Sequence, residues 1–145
     1  MKHVLVIGAG NFGKHLIAAL LESGCAVDVL DREAAPGYEP QRLGCRVIWD
    51  NAWNISGRKD IHFSDYECCY LCMPENQPLN LHVIESLRKM GAGRIVVRVK
   101  HAREAEFYLR VGANQVICPE QFASRSLVRE IAGYPGTDSP VFNGT

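Results

Sequence analysis

No stretch of this chain approaches the roughly 20 consecutive apolar residues that a membrane-spanning helix needs. Met1-Lys2-His3 runs straight into a short β-like segment rather than a secretory leader, and a cytoplasmic protein is expected. Net charge is missing as well: 16 Lys and Arg balance 16 Asp and Glu, so no global field draws the chain to nucleic acid or an anionic membrane. Any anion site has to be local. Length is also limited, because 145 residues make one domain of ordinary size, and a separate substrate domain is not expected. What the chain does have is a hydrophobic content of 47% against 22% charge, enough to build a core and too few charges for a solvated disordered chain.

Paired chemistry is scarce. Asp60, Asp65, Glu67 and Glu75 show no spacing that indicates acid–base work, and His3, His15, His62, His82 and His101 are scattered. Six cysteines stand at 25, 45, 68, 69, 72 and 118, mostly inside apolar runs, which fits small buried hydrophobes in a reducing compartment better than a disulfide framework. One C-x-x-C, Cys69 to Cys72, has no second pair to complete a tetrahedral site. In a strand its two thiols fall on opposite faces.

The apolar pattern reads as strands alternating with helices. Valine-rich 3–7 has the look of a strand buried on both faces. A helical pattern over 12–23 carries Phe12, Leu16, Ala19 and Leu20, with Gly24 placed to release the chain. A second strand over 26–30 closes at Asp31. The segment 32–44, broken by Pro36, Gly37 and Pro40, has room only for a short helix near 39–43. Further strands are expected at 45–49, 67–72, 94–99 and 114–117, and helices at 76–90, 102–111 and 120–132. Glu75 and Asn76 fall at a cleft rim, where they cap the 76–90 helix or approach a nucleotide, capping being the expected role. The fold class that follows is α/β: a single-domain, Rossmann-like, doubly wound open parallel sheet of about six strands over residues 1–132, with 133–145 as an extended or disordered tail.

Gly8-Ala9-Gly10-Asn11-Phe12-Gly13 is a G-x-G-x-x-G sequence lying between the first strand and first helix, the context in which the motif has a mechanism. Gly8 permits the tight turn, Gly10 lets a pyrophosphate approach the backbone, and Gly13 lets the helix pack closely on the sheet. Free amides at the helix start, including those of Asn11 and Phe12, then hold phosphate with help from the helix dipole. Asp31 stands eighteen residues after Gly13, where a carboxylate accepts hydrogen bonds from ribose hydroxyls and repels a 2′-phosphate. This favours NAD or an adenosine nucleotide over NADP, although Arg32 beside it is the type of residue that accommodates a 2′-phosphate.

With these residues the chain resembles the nucleotide-binding RCK domains, also called KTN or TrkA-N domains, of potassium channel and transporter regulators. The resemblance covers about 2–132 and rests on the glycine loop, Asp31, Val47-Ile48-Trp49-Asp50, Arg94-Ile95-Val96-Val97-Arg98 and the run from Leu109 to Glu120 containing Gly112-Ala113-Asn114 and Cys118-Pro119-Glu120. It implies binding of NAD or NADH, or of ATP, ADP or AMP, and homodimers that assemble into larger rings. It also implies that Asp50, with its neighbour Asn51, lies near the adenine or its ribose, and that Arg98 faces the phosphates or a neighbouring subunit. Glu120 matches a glutamate that in some relatives helps to hold an interface cation. The sequence departs from the family at Asn11, where many relatives carry Arg, and at Trp49, which replaces a glycine and would stack on or crowd the adenine.

The functional expectation is therefore a nucleotide-sensing regulatory subunit or domain of a membrane-embedded potassium channel or transporter, peripheral to the membrane through that partner and without a nucleic-acid partner. The alternative is a small NAD-dependent oxidoreductase, for which the sequence offers no substrate pocket or positioned acid or base.

Overall fold

The computed structural model describes residues 1–33, 37–74, 76–133 and 141–144. Seven strands form one sheet: β1 (His3–Ile7), β2 (Ala26–Asp31), β3 (Arg46–Trp49), β4 (Cys68–Leu71), β5 (Arg94–Arg98), β6 (Gln115–Ile117) and β7 (Val141–Asn143). Their order is β3-β2-β1-β4-β5-β6-β7, parallel throughout except that β7 pairs antiparallel with β6. The sheet has one strand more than expected, since Val141–Asn143 in the expected tail forms this edge. Helices α1 (Asn11–Glu22), α2 (Glu39–Arg42), α3 (Gln77–Lys89), α4 (Ala105–Arg110) and α5 (Pro119–Ala132) complete the chain, with 3₁₀ turns at Ala52–Gly57, Phe63–Asp65 and Ala102–Glu104.

Strand alternation divides the core into two layers. Leu5, Ile7, Leu30, Cys69, Leu71, Ile95 and Val97 face one layer, while Val4, Val6, Val27, Val29, Cys68, Cys72 and Val96 face the other. Both sides of the central strands are therefore buried, as a sheet covered on two faces requires. Cys69 and Cys72 fall in different layers, and burial pushes both thiols up to about 12. They stay neutral and pack as hydrophobes.

Helix α1 seats Gly13 and Ile17 in the sheet, so Ile17 takes the inward place expected of Ala19, which is exposed. It ends where the sequence pattern places its end: Gly24 has φ +85, and the Cys25 amide closes back on the Leu20 carbonyl at 3.0 Å. Asn76 caps helix α3: its side chain accepts from the Leu79 amide at 3.1 Å and so satisfies one of the donors a helix start leaves free. Glu75 lies outside the described residues, as do Pro36, Pro135, Gly136 and Pro140. None of the residues of α5 is buried, and its apolar residues Phe122, Leu127, Val128 and Ile131 are exposed, Ile131 to 91%.

Among the described residues, no helix is long and apolar enough to cross a membrane. The strand order reverses at β1, whose neighbours are β2 and β4. In open α/β sheets ligands bind beyond the carboxyl ends of the strands at such a switch point.

Candidate nucleotide site

The glycine loop leaves β1 at the switch point, and each glycine faces different surroundings. Gly8 has φ +86, a conformation that side chains disfavour, and a Cβ there would lie 3.0 Å from the Met73 backbone that follows β4. At Gly13 a Cβ would stand 2.6 Å from the Gly8 carbonyl oxygen. The helix start is thus held directly against the loop. Gly10 is the opposite case: nothing lies within 4 Å of the position its Cβ would take. Its φ of −73° is one that any residue adopts, so the backbone there does not require glycine.

Helix α1 begins at this open position without a side-chain cap and without an acidic residue in its first turn. Its first intrahelical bond runs from the Lys14 amide to the Gly10 carbonyl at 2.9 Å, which leaves the amides of Asn11, Phe12 and Gly13 ahead of the helical ladder. A cradle with free amides, a dipole and no side chain in the way fits a phosphate or pyrophosphate. Asn11 is exposed and Phe12 is partly buried against the α1 layer.

Asp31 ends β2 beside the loop, and its Oδ2 accepts from the Ala9 amide at 3.3 Å. The two halves of the fingerprint are therefore hydrogen-bonded to one another. Oδ2 also accepts from the Tyr38 hydroxyl at 2.7 Å, and Oδ1 accepts from the Glu33 amide at 3.2 Å. Arg32 points to solvent, 73% exposed, with Glu33 as a partner at the 4.0 Å limit of an ion pair. Tyr38 is a residue that the sequence pattern does not single out. It sits in the proline- and glycine-broken segment after β2, and no local periodicity marks it.

Asp50 follows β3 and is engaged on both oxygens. Oδ1 accepts from the Asn51 amide at 2.7 Å and the Asn54 side-chain amide at 2.9 Å, and Oδ2 pairs with Arg58 at 2.9 Å. Arg58 in turn makes a two-pronged contact to Asp60, at 3.0 and 2.8 Å. The Asn51 side chain caps the 3₁₀ turn by accepting from the Trp53 amide at 3.0 Å. These contacts define a local role for both residues in shaping the loop after β3. Trp49 is 38% exposed and meets Tyr38 edge to face, ring centres 4.9 Å apart.

The Asn54 hydrogen bond and the Arg58 guanidinium hold the Asp50 carboxyl below its ordinary value of 3.8, and Arg58 does the same for Asp60. A carboxyl held low in the folded chain adds stability at pH above its unfolded value, and that stability is lost as pH falls through the lowered one. Arg58→Met is accordingly expected to lower the melting temperature modestly near neutrality, with the difference from the unaltered protein shrinking as pH falls through the range of these carboxyls. Melting curves followed by circular dichroism from about pH 7 down to about pH 3 check this, and a difference that does not change with pH would refute it.

Arg98 closes β5 and is 14% exposed, and its Nη2 pairs with Glu120 Oε1 at 2.6 Å, while its Nε is buried without a partner among the described residues. Its charge offsets part of the burial-driven rise at Cys72, the residue against which Gly13 also lies. The Glu120 carboxylate is on the first turn of α5, with Oε1 on the Arg98 guanidinium and the side chain 54% exposed. The fold brings Arg98 and Glu120 together as an ion pair, which sequence spacing alone does not show.

The structure is similar to the TrkA-N domain of the inner membrane protein YbaL from Escherichia coli, with 23% identity, a TM-score of 0.74, and coverage of 90% of this chain and 96% of that one. It is similar to the AMP-bound Kef C-terminal domain of Shewanella denitrificans, with 21% identity, a TM-score of 0.69, and coverage of 89% and 79%. It also matches the GsuK channel bound to NAD, with 18% identity and a TM-score of 0.73 over 87% of this chain and 23% of the channel chain. At these identities the likeness is one of fold. No curated protein sequence matches the chain. The sequence model of the TrkA-N domain matches residues 4–119, the span that holds the glycine loop, Asp31 and all of the parallel strands but His3, and the chain belongs to the TrkA-N domain family.

Proposed function

We propose that this chain is a nucleotide-sensing regulatory domain of a potassium channel or transporter, and that it binds NAD(H) or an adenine nucleotide. The observation that carries the proposal is the open backbone at Gly10, with free helix amides on one side and the Asp31 carboxylate, bonded to Ala9, on the other. The amides receive the phosphates and Asp31 receives the adenosine ribose. NAD on GsuK and AMP on the Kef domain support the ligand class. Arg98 at the end of β5, paired with Glu120 at the start of α5, is the residue that in this reading would feel a bound phosphate and pass its effect to that helix.

The uncovered apolar residues of α5 support a homodimer as the assembly that reads the ligand. For the ligand to switch anything, it must bind two arrangements of that dimer with different affinity. Thermal melting across NAD, NADH, AMP, ADP, ATP and NADP is the direct test, since a ligand specific for the native state raises the midpoint by mass action. Asp31→Asn is expected to weaken the stabilising nucleotide about 10- to 30-fold, the scale of one hydrogen bond to a charged group. Absence of stabilisation by any of the six would reject nucleotide binding. Turnover of NADH with a metabolite substrate would replace the sensor with an oxidoreductase.

A further inference from the structure

The carboxylate assigned to the ribose already has a strong partner. Tyr38 donates its hydroxyl to Asp31 Oδ2 at 2.7 Å, the same oxygen that accepts from the Ala9 amide at 3.3 Å. Oδ1 accepts from the Glu33 amide at 3.2 Å and keeps its second lone-pair site open. A ribose presents two adjacent hydroxyls, and binding both across one carboxylate draws on both oxygens. The Tyr38 bond is short and made to an ionised acceptor, which places it among the stronger hydrogen bonds. It is also the bond that can be given up most easily, because Glu33 and Ala9 donate from the backbone whereas Tyr38 donates from a side chain.

The setting of Tyr38 favours such an exchange. It stands at the start of the four-residue helix α2, directly after Gly37, which has φ +75 and open space around its Cβ position. Its ring rests edge to face on Trp49 and against the core layer beneath α1. Burial, followed by the bond to Asp31, raises the phenol well above its ordinary value of 10. The hydroxyl therefore remains a proton donor throughout the physiological range.

We propose that Tyr38 is an internal competitor for the ribose. Its hydroxyl and the Ala9 amide together fill Oδ2 and leave only Oδ1 open, so the Tyr38–Asp31 bond and the binding of both ribose hydroxyls across the two oxygens exclude one another. This rests on the nucleotide reading of the site and adds a specificity and coupling element to it. The apparent affinity for a ribonucleotide is reduced by the fraction of molecules in which Tyr38 has released Asp31, a reduction of about 10-fold on the scale of one charged hydrogen bond. Release of Tyr38 also frees the ring that packs on Trp49 at the end of β3. Occupancy of the ribose site is thereby passed to the edge of the sheet.

Tyr38→Phe keeps the ring on Trp49 and removes only the hydroxyl. Calorimetric titration is expected to show AMP and NADH binding about 10-fold more tightly to the variant, with 2′,3′-dideoxy-AMP binding equally to both proteins because it brings no hydroxyl to Asp31. Unchanged AMP affinity overturns the competitor role, and so does an equal gain for the dideoxy nucleotide, which would mean that ring packing is responsible. Weaker AMP binding overturns it as well, by making Tyr38 a ribose ligand. Failure of the unaltered protein to bind any of these nucleotides rejects the nucleotide site itself, a separate result from intact but unaltered affinity. A second measurement does not depend on the folding of the Phe variant. With two tryptophans in the chain, Trp53→Phe leaves Trp49 as the reporter, and its emission is expected to change more on saturation with AMP than with the dideoxy nucleotide, which brings the same adenine without the hydroxyls. An equal change with both, or none with AMP at saturation, overturns the proposal.

Discussion

Gly13→Ala is expected to lower the melting temperature by about 4–8 °C. Two effects of opposite sign decide the outcome. Alanine favours a helix over glycine by about 1 kcal/mol, and Gly13 lies inside α1, so on propensity alone the substitution would stabilise. The new methyl, however, would stand 2.6 Å from the Gly8 carbonyl oxygen, a backbone atom that cannot rotate away as a side chain would. Forcing α1 off the loop costs about 3 kcal/mol by analogy with overpacked cores, leaving a net loss of about 2 kcal/mol. For a chain of this size that corresponds to roughly 2–4 °C per kcal/mol. Differential scanning calorimetry of the ligand-free variant is the measurement, and an increase in melting temperature would show that the helix is not seated so closely.

Gly10→Ala is expected to behave in the reverse way. The site has no neighbour within 4 Å and a backbone compatible with alanine, so the fold loses only the modest difference between glycine and alanine before a helix, about 0.5–1 kcal/mol. Nucleotide affinity is expected to fall about 100-fold, because the methyl occupies the space through which a phosphate reaches the amides of Asn11, Phe12 and Gly13. Losing two hydrogen bonds to a charged group is enough for a change of that size. Titration of NADH or ADP by calorimetry, alongside a melting curve, separates the two quantities. A variant that binds normally would show that the phosphates do not approach through Gly10. Together the two substitutions test one motif for two independent duties, close packing at Gly13 and ligand access at Gly10.

Much of this was legible in the chain because strands and helices have different periods. The valine-rich 3–7, the helix after it and the Gly24 stop lie in one continuous stretch, and the structure reproduces them within a residue or two. Asp31 was legible for the same reason, since the distance from the loop to the end of a neighbouring strand is set by the length of one helix. Val141–Asn143 was not, because three residues carry too little pattern to announce a strand, and its partner β6 is more than twenty residues away. The state of α5 was only half legible. Its apolar residues are visible in the sequence, but only the packed structure shows that nothing within the described residues covers them.

The sequence by itself determined the architecture and the chemistry of the phosphate loop, because both rest on local properties: side-chain alternation, turn glycines and free amides at a helix start. Only the tertiary structure decided which side chains the candidate residues meet. It put Tyr38 on Asp31, Arg58 on Asp50, and Arg98 on Glu120. Two of these contacts are made by residues that no motif marks, and the third joins residues twenty-two positions apart. Such pairings depend on where loops beyond the strand ends converge, a property of the packed sheet that no window of sequence contains.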